Sequence, residues 1–140
     1  MNKLAIALSL ALCACAAPRR SFAPADADLP FSSGVLVGDT YYVAGHLGRD
    51  PQTGAIPEDP AAEAGFMLDA FAASLARAGM TMDDLVQVQV FCADVSLYDT
   101  FNAAYRRRFS GEFPARAFIG SGQLLRGARF EILGTAVRRH

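Results

Sequence analysis

An α+β domain, with two helices on one face of a mixed sheet in the order ββαβαββ, is the fold this sequence predicts. Three observations predict it. Short runs rich in Val, Tyr and Phe with period-two alternation occur near the start, the middle and the end of the chain. Between them lie two stretches with apolar residues at helical spacing. The chain has 140 residues, 52% of them apolar, which is one domain's worth once a leader is set aside.

The chain starts with Met1-Asn2-Lys3 and an apolar run, Leu4 to Ala14, too short for a mature membrane-spanning helix. This reads as a secretory signal peptide over residues 1–14. Leu12-Cys13-Ala14-Cys15 resembles a bacterial lipoprotein box, which makes Cys15 the lipidated first residue of a protein tethered to a membrane and facing the periplasm. Ordinary cleavage near Ala16-Ala17, releasing a soluble periplasmic or secreted protein, is the competing reading. Residues 15–29, rich in Ala, Pro and Asp, read as a flexible tether, and 30–140 as the folded domain.

Val35-Leu36-Val37, Gly38-Asp39 and Tyr41 to Ala44 form a strand, tight turn, strand signature. Asp59 caps a helix with Pro60 at its first position; Met67, Leu68, Phe71 and Leu75 follow at helical spacing, and Gly79 stops it. Leu85 to Cys92 is a strand with Val86, Val88 and Val90 on one face and Gln87 and Gln89 on the other. A face only partly polar often meets another subunit. Ser96 caps a second helix carrying Leu97, Phe101, Tyr105 and Phe109, with Arg106-Arg107-Arg108 facing water at its end. Pro114-Ala115-Arg116 and Arg129 to Ile132 are the last two strands. The glycine-rich turn between them makes them antiparallel neighbours, with Arg116 and Glu131 close on one face.

Composition excludes several chemistries. Thirteen basic and fourteen acidic residues leave a net charge of −1, which does not suit a nucleic-acid binder. The one lysine, Lys3, lies in the leader, so the mature chain has none for a Schiff base or phosphate loop. His46, His140 and Cys92 cannot supply a conventional metal site, and no dinucleotide or nucleophile-elbow motif is present. The expected chemistry uses neither cofactor nor metal. A guanidinium is a planar fork for a carboxylate, and a carboxylate can hold a water, so Arg116 and Glu131 are the candidate pair.

Several pieces together resemble the RidA/YjgF family of enamine/imine deaminases over Pro30 to Arg139. They are Val37-Gly38-Asp39-Thr40 leading to Ala44-Gly45, Asp50-Pro51-Gln52-Thr53-Gly54, Val88-Gln89-Val90-Phe91 with Asp94, and Phe101-Asn102-Ala103-Ala104-Tyr105. Phe113-Pro114-Ala115-Arg116, Arg126-Gly127-Ala128 and Phe130-Glu131-Ile132 complete the set. The resemblance implies a chorismate-mutase-like fold and a homotrimer with sites in the clefts between subunits. It implies that Arg116 grips the carboxylate of a 2-imino or 2-enamino acid. It implies likewise that Glu131, with backbone carbonyl help, orients the water that yields a 2-oxo acid and ammonia. Gly45 and Asn102 fall on pocket positions, as do Phe31 and Phe118. Phe31 stands for a common tyrosine, so that hydroxyl is lost, and Phe118 for a small residue or cysteine, which would narrow or reshape the pocket. His46, Leu125 and Leu133 replace a glutamine, a proline and an acidic residue. The competing function is a binding protein that holds a small carboxylate without turnover.

Overall fold

The computed structural model of the chain describes residues 17–24 and 28–139; the predicted signal peptide lies outside them. Six strands and two α-helices follow in the order β1 (Arg19–Phe22), β2 (Gly34–Val37), β3 (Thr40–Leu47), α1 (Pro60–Arg77), β4 (Leu85–Cys92), α2 (Tyr98–Arg106), β5 (Ala115–Gly120) and β6 (Phe130–Val137). They form one mixed sheet ordered β1-β2-β3-β6-β4-β5, in which only β4 and β5 run parallel. Both helices cover the same face, where Tyr41, Val43, Val88, Val90, Phe130 and Ile132 meet Met67, Leu68, Phe71 and Phe101 in the core. The α+β class and the two-helix layer are as expected.

Local chemistry explains the elements that were foreseen. Gly38 takes φ 58° in the β2–β3 turn, a conformation that favours glycine. Asp59 accepts from the amides of Ala61 and Ala62 at 3.0 and 3.2 Å, capping α1 ahead of Pro60, and Gly79 at φ 72° ends it.

Three expectations need correction. Arg19–Phe22, read as part of a flexible tether, is a strand paired antiparallel with β2. Arg-Arg-Ser shows no apolar alternation, but an edge strand is held by backbone pairing, and here the guanidiniums of Arg20 and Arg77 also flank the buried Phe22 ring. Val86 is 48% exposed, because the register slips between Leu85 and Gln87 and Leu85 takes the inward position. The cap before α2 is Asp94, which accepts from the Ser96 amide at 3.0 Å, and a 3₁₀ turn over Val95–Leu97 precedes the helix.

One interaction had no sequence signal. Glu63, in the first turn of α1, is fully buried, and its carboxylate accepts from the Arg129 amide at 2.7 Å, the Phe130 amide at 3.1 Å and Arg129 Nε at 2.6 Å. Gly48 packs so tightly on this turn that a Cβ would lie 2.1 Å from the Glu63 carbonyl oxygen. Removing the Glu63 carboxylate strands three donors, one of them on a half-buried cation, so Glu63→Ala is expected to destabilise the fold by about 3 kcal/mol. Urea denaturation of wild type and variant measures it; a loss under about 1 kcal/mol would show that the ion pair is dispensable.

Candidate active site

Arg116 lies on β5, the strand at one edge of the sheet. It is in register with Val88, which is fully buried, so the Arg116 side chain rises from the helix-covered face toward α2. There its guanidinium carbon lies 4.6 Å from the Tyr105 ring centroid and 5.6, 5.8 and 5.9 Å from those of Phe101, Tyr98 and Phe118. Nη2 donates to Asn102 Oδ1 at 2.7 Å. Among the described residues no carboxylate pairs with it. Aromatic faces attract a cation without neutralising it, so an unbalanced positive charge remains.

That charge lines a cavity of about 270 Å3, together with Tyr98, Asn102, Tyr105, Arg106, Phe113 and Pro114. No acidic side chain lines it. Arg106, read from sequence as a solvated helix-end cation, is thus part of the wall. Phe118 is not: its ring packs at 5.0 Å edge-on to Tyr98 and 5.4 Å from Phe101, forming a floor beneath them. Burial pushes the Tyr105 phenol up to about 12, against the opposing Arg116 charge, so it stays protonated. Tyr98 moves the other way, lowered first by the Asn102 side chain and then by the Arg116 charge.

Glu131 is built differently. On β6 it alternates with the buried Phe130 and Ile132 and is in register with Leu47 and Phe91, so its side chain points to the face without helices. It lies over the β3 irregularity between Val43 and His46, where a Cβ on Gly45 would come within 2.1 Å of Glu131 Oε1. Only a glycine lets the carboxylate rest there. Gly45 and Glu131, both foreseen, are in contact.

Arg116 and Glu131 are not neighbours, contrary to expectation. The loop after β5 carries the chain past β4, so β4 separates their strands, and the two side chains leave opposite faces of the sheet. Phe31, 53% exposed, precedes β2 near the other edge of the sheet. One copy therefore holds two separate clusters of the candidate residues. Arg116, Asn102 and the aromatic wall make one; Glu131 and Gly45 make the other.

The remaining titratable groups stand apart. His46 is in register with Ile132 on the helix side, its Nδ1 2.8 Å from the Ala44 carbonyl and its ring edge-on to Phe71. Burial lowers its pKa and favours the neutral ring. Cys92 is buried, donates to the Asp94 carbonyl, and has its pKa raised by burial, which keeps the thiol inert. Among the described residues no group of His, Cys, Asp and Glu is arranged to share a metal ion.

Comparison with known proteins agrees with this architecture. The family model described as Endoribonuclease L-PSP matches residues 22–138. The 2-iminobutanoate/2-iminopropanoate deaminase of Bos taurus is 37% identical over 110 residues, covering 78% of this chain and 80% of the relative. The protein of the same name from Escherichia coli K12 is 34% identical over 113 residues, covering 79% and 88%. Among solved structures, the YjgF gene product of Escherichia coli superposes with a TM-score of 0.76 at 33% identity, covering 85% of this chain and 94% of that one. Escherichia coli TdcF with bound serine gives 0.76 at 29%, covering 79% and 90%.

Gly45→Ala is expected to evict the Glu131 carboxylate from its seat while leaving the fold intact, because the obstructing atom ends a movable side chain. A crystal structure of the variant checks this. An unmoved Glu131 would show that the glycine does not set its position.

Proposed function

The chain belongs to the Endoribonuclease L-PSP family, the RidA/YjgF proteins, and on that footing we propose that it hydrolyses reactive 2-imino and 2-enamino acids to 2-oxo acids and ammonia. The observation that carries the reading is the Arg116 guanidinium, uncompensated by any carboxylate among the described residues, on the wall of a cavity with no acidic lining. Such a site recognises an anion, and the planar fork suits a carboxylate. The relatives named 2-iminobutanoate/2-iminopropanoate deaminase supply the class of acid.

In this reading Arg116 holds the substrate carboxylate and thereby fixes the adjacent imine carbon. Asn102 keeps the guanidinium in place. Glu131 of another copy in a homotrimer orients a water, whose oxygen adds to that carbon while the C=N electron pair moves to nitrogen. Protons pass from the added water to nitrogen, the C–N bond breaks, and ammonia departs as the C=O bond forms. Neither cofactor nor metal takes part. Export, with a lipid on Cys15 holding the domain at a membrane, belongs to the same proposal. So does the absence of a nucleic-acid partner, in keeping with the net charge of −1.

A second reading has one observation in its favour. The Arg116 cavity is lined by residues of a single copy and Glu131 is on the other face, as suits a protein that captures a small carboxylate without turning it over. Thermal-shift screening against small acids, run beside the rate assay, separates the two: stabilisation with no turnover identifies a binder.

The test is ammonia release from an imino acid generated in situ. Arg116→Ala is expected to lower kcat/KM by about 100-fold or more, since an anion loses its charge-assisted partner. Glu131→Gln is expected to lower kcat more than it raises KM. Wild-type rates in both variants would refute the assignment.

A further inference from the structure

Tyr98 opens α2, and Asn102 stands one helical turn beyond it. Both line the Arg116 cavity. Asn102 Oδ1 accepts from Arg116 Nη2 at 2.7 Å, and the same amide carries two N–H donors on Nδ2. The Tyr98 ring lies 5.8 Å from the Arg116 guanidinium carbon on the same wall, and its phenol pKa is lowered, first by the Asn102 side chain and then by the Arg116 charge. A hydroxyl that accepts from an amide keeps its own proton to give. The ring is fixed in plane by the Phe118 floor, edge-on at 5.0 Å and 85°. Tyr98 is also 45% exposed, so its hydroxyl does not need to be uncovered to meet a ligand. The charged groups on this wall are Arg116 from β5 and Arg106 from α2, and the other phenol is that of Tyr105.

We propose that Tyr98 is a further substrate-binding residue of this site, donating its hydroxyl proton to the carboxylate that Arg116 holds. The inference rests on the anion-binding role of Arg116 given above. It makes Arg116, Asn102 and Tyr98 one relay, in which the guanidinium orients the amide and the amide orients the phenol. The acid's two oxygens are then held by unlike donors, a cation and a hydroxyl. The same relay gives affinity a basic limit, because an ionised Tyr98 loses its donor and repels the acid.

The test uses the full-length protein and 2-oxobutanoate, an unreactive 2-oxo acid, titrated calorimetrically, with steady-state kinetics on the matching imine. Tyr98→Phe keeps the ring on Phe118 and removes only the hydroxyl. It is expected to weaken 2-oxobutanoate binding and raise KM by about tenfold, with a smaller change in kcat and an unchanged melting temperature. Wild-type affinity should fall as pH rises through a phenol ionisation below the usual 10.0, and the fall should be missing in Tyr98→Phe, because Arg116 stays charged throughout. If Tyr98→Phe matches wild type in affinity and pH profile while Arg116→Ala loses binding, this proposal fails and the functional reading stands. If Arg116→Ala also binds as wild type does, the functional reading fails and takes this one with it.

Discussion

The buried Glu63 carboxylate fixes where the last strand begins. It gathers two successive backbone amides and the Arg129 side chain, tying the first turn of α1 to the entry of β6. The next residue after those amides is Glu131. An anchor with no solvent around it is unforgiving: its partners must all be present, or the desolvated charge becomes a liability. With them present, β6 enters the sheet in one register, and strand alternation then decides which way every later side chain points.

That alternation, with β4 inserted between β5 and β6, explains why the chemistry is divided. Arg116 belongs to the face covered by α2, where a guanidinium can be boxed by Tyr98, Phe101, Tyr105 and Phe118. Glu131 belongs to the bare face, over the gap left by Gly45. No side-chain rotation moves a group through a sheet. If the two act on one molecule, they come from different copies, and the half-buried bare face with exposed Tyr42 is the surface on which a neighbour would have to sit. This gives the proposed homotrimer a physical reason, since assembly would create a site that folding alone cannot.

Much of the fold was legible because its signals are local. Asp59-Pro60 and Gly79 mark the ends of α1, Gly38 marks a tight turn, and Val88 and Val90 reveal the buried face of β4. The errors share a different cause. Which strand lies beside which is decided by contacts far apart in sequence, so a short loop between Arg116 and Glu131 looked like a hairpin when it steps across another strand. Arg19–Phe22 has the composition of a tether and is a strand only because β2 offers it an edge. Glu63 reads as an ordinary acid in the first turn of a helix until Arg129 is brought to it across 66 positions. Among the candidate residues, Arg116 and Glu131 are legible from their own chemistry as well as from resemblance to a family, and Asn102 and Gly45 from the resemblance alone. The roles of Tyr98 and Arg106 come from geometry, although the one-turn spacing of Tyr98 and Asn102 is visible in the sequence.

If the proposed reaction needs both Arg116 and Glu131, no isolated chain can perform it, and subunit mixing tests this most directly. Arg116→Ala and Glu131→Gln proteins, each inactive alone, are unfolded together in equal amounts, refolded and assayed for ammonia release from an imino acid. If each site takes its arginine from one copy and its glutamate from the next, random assembly restores about a quarter of wild-type activity. Activity that stays at the level of the separate variants, although mixed oligomers have formed, would contradict the account.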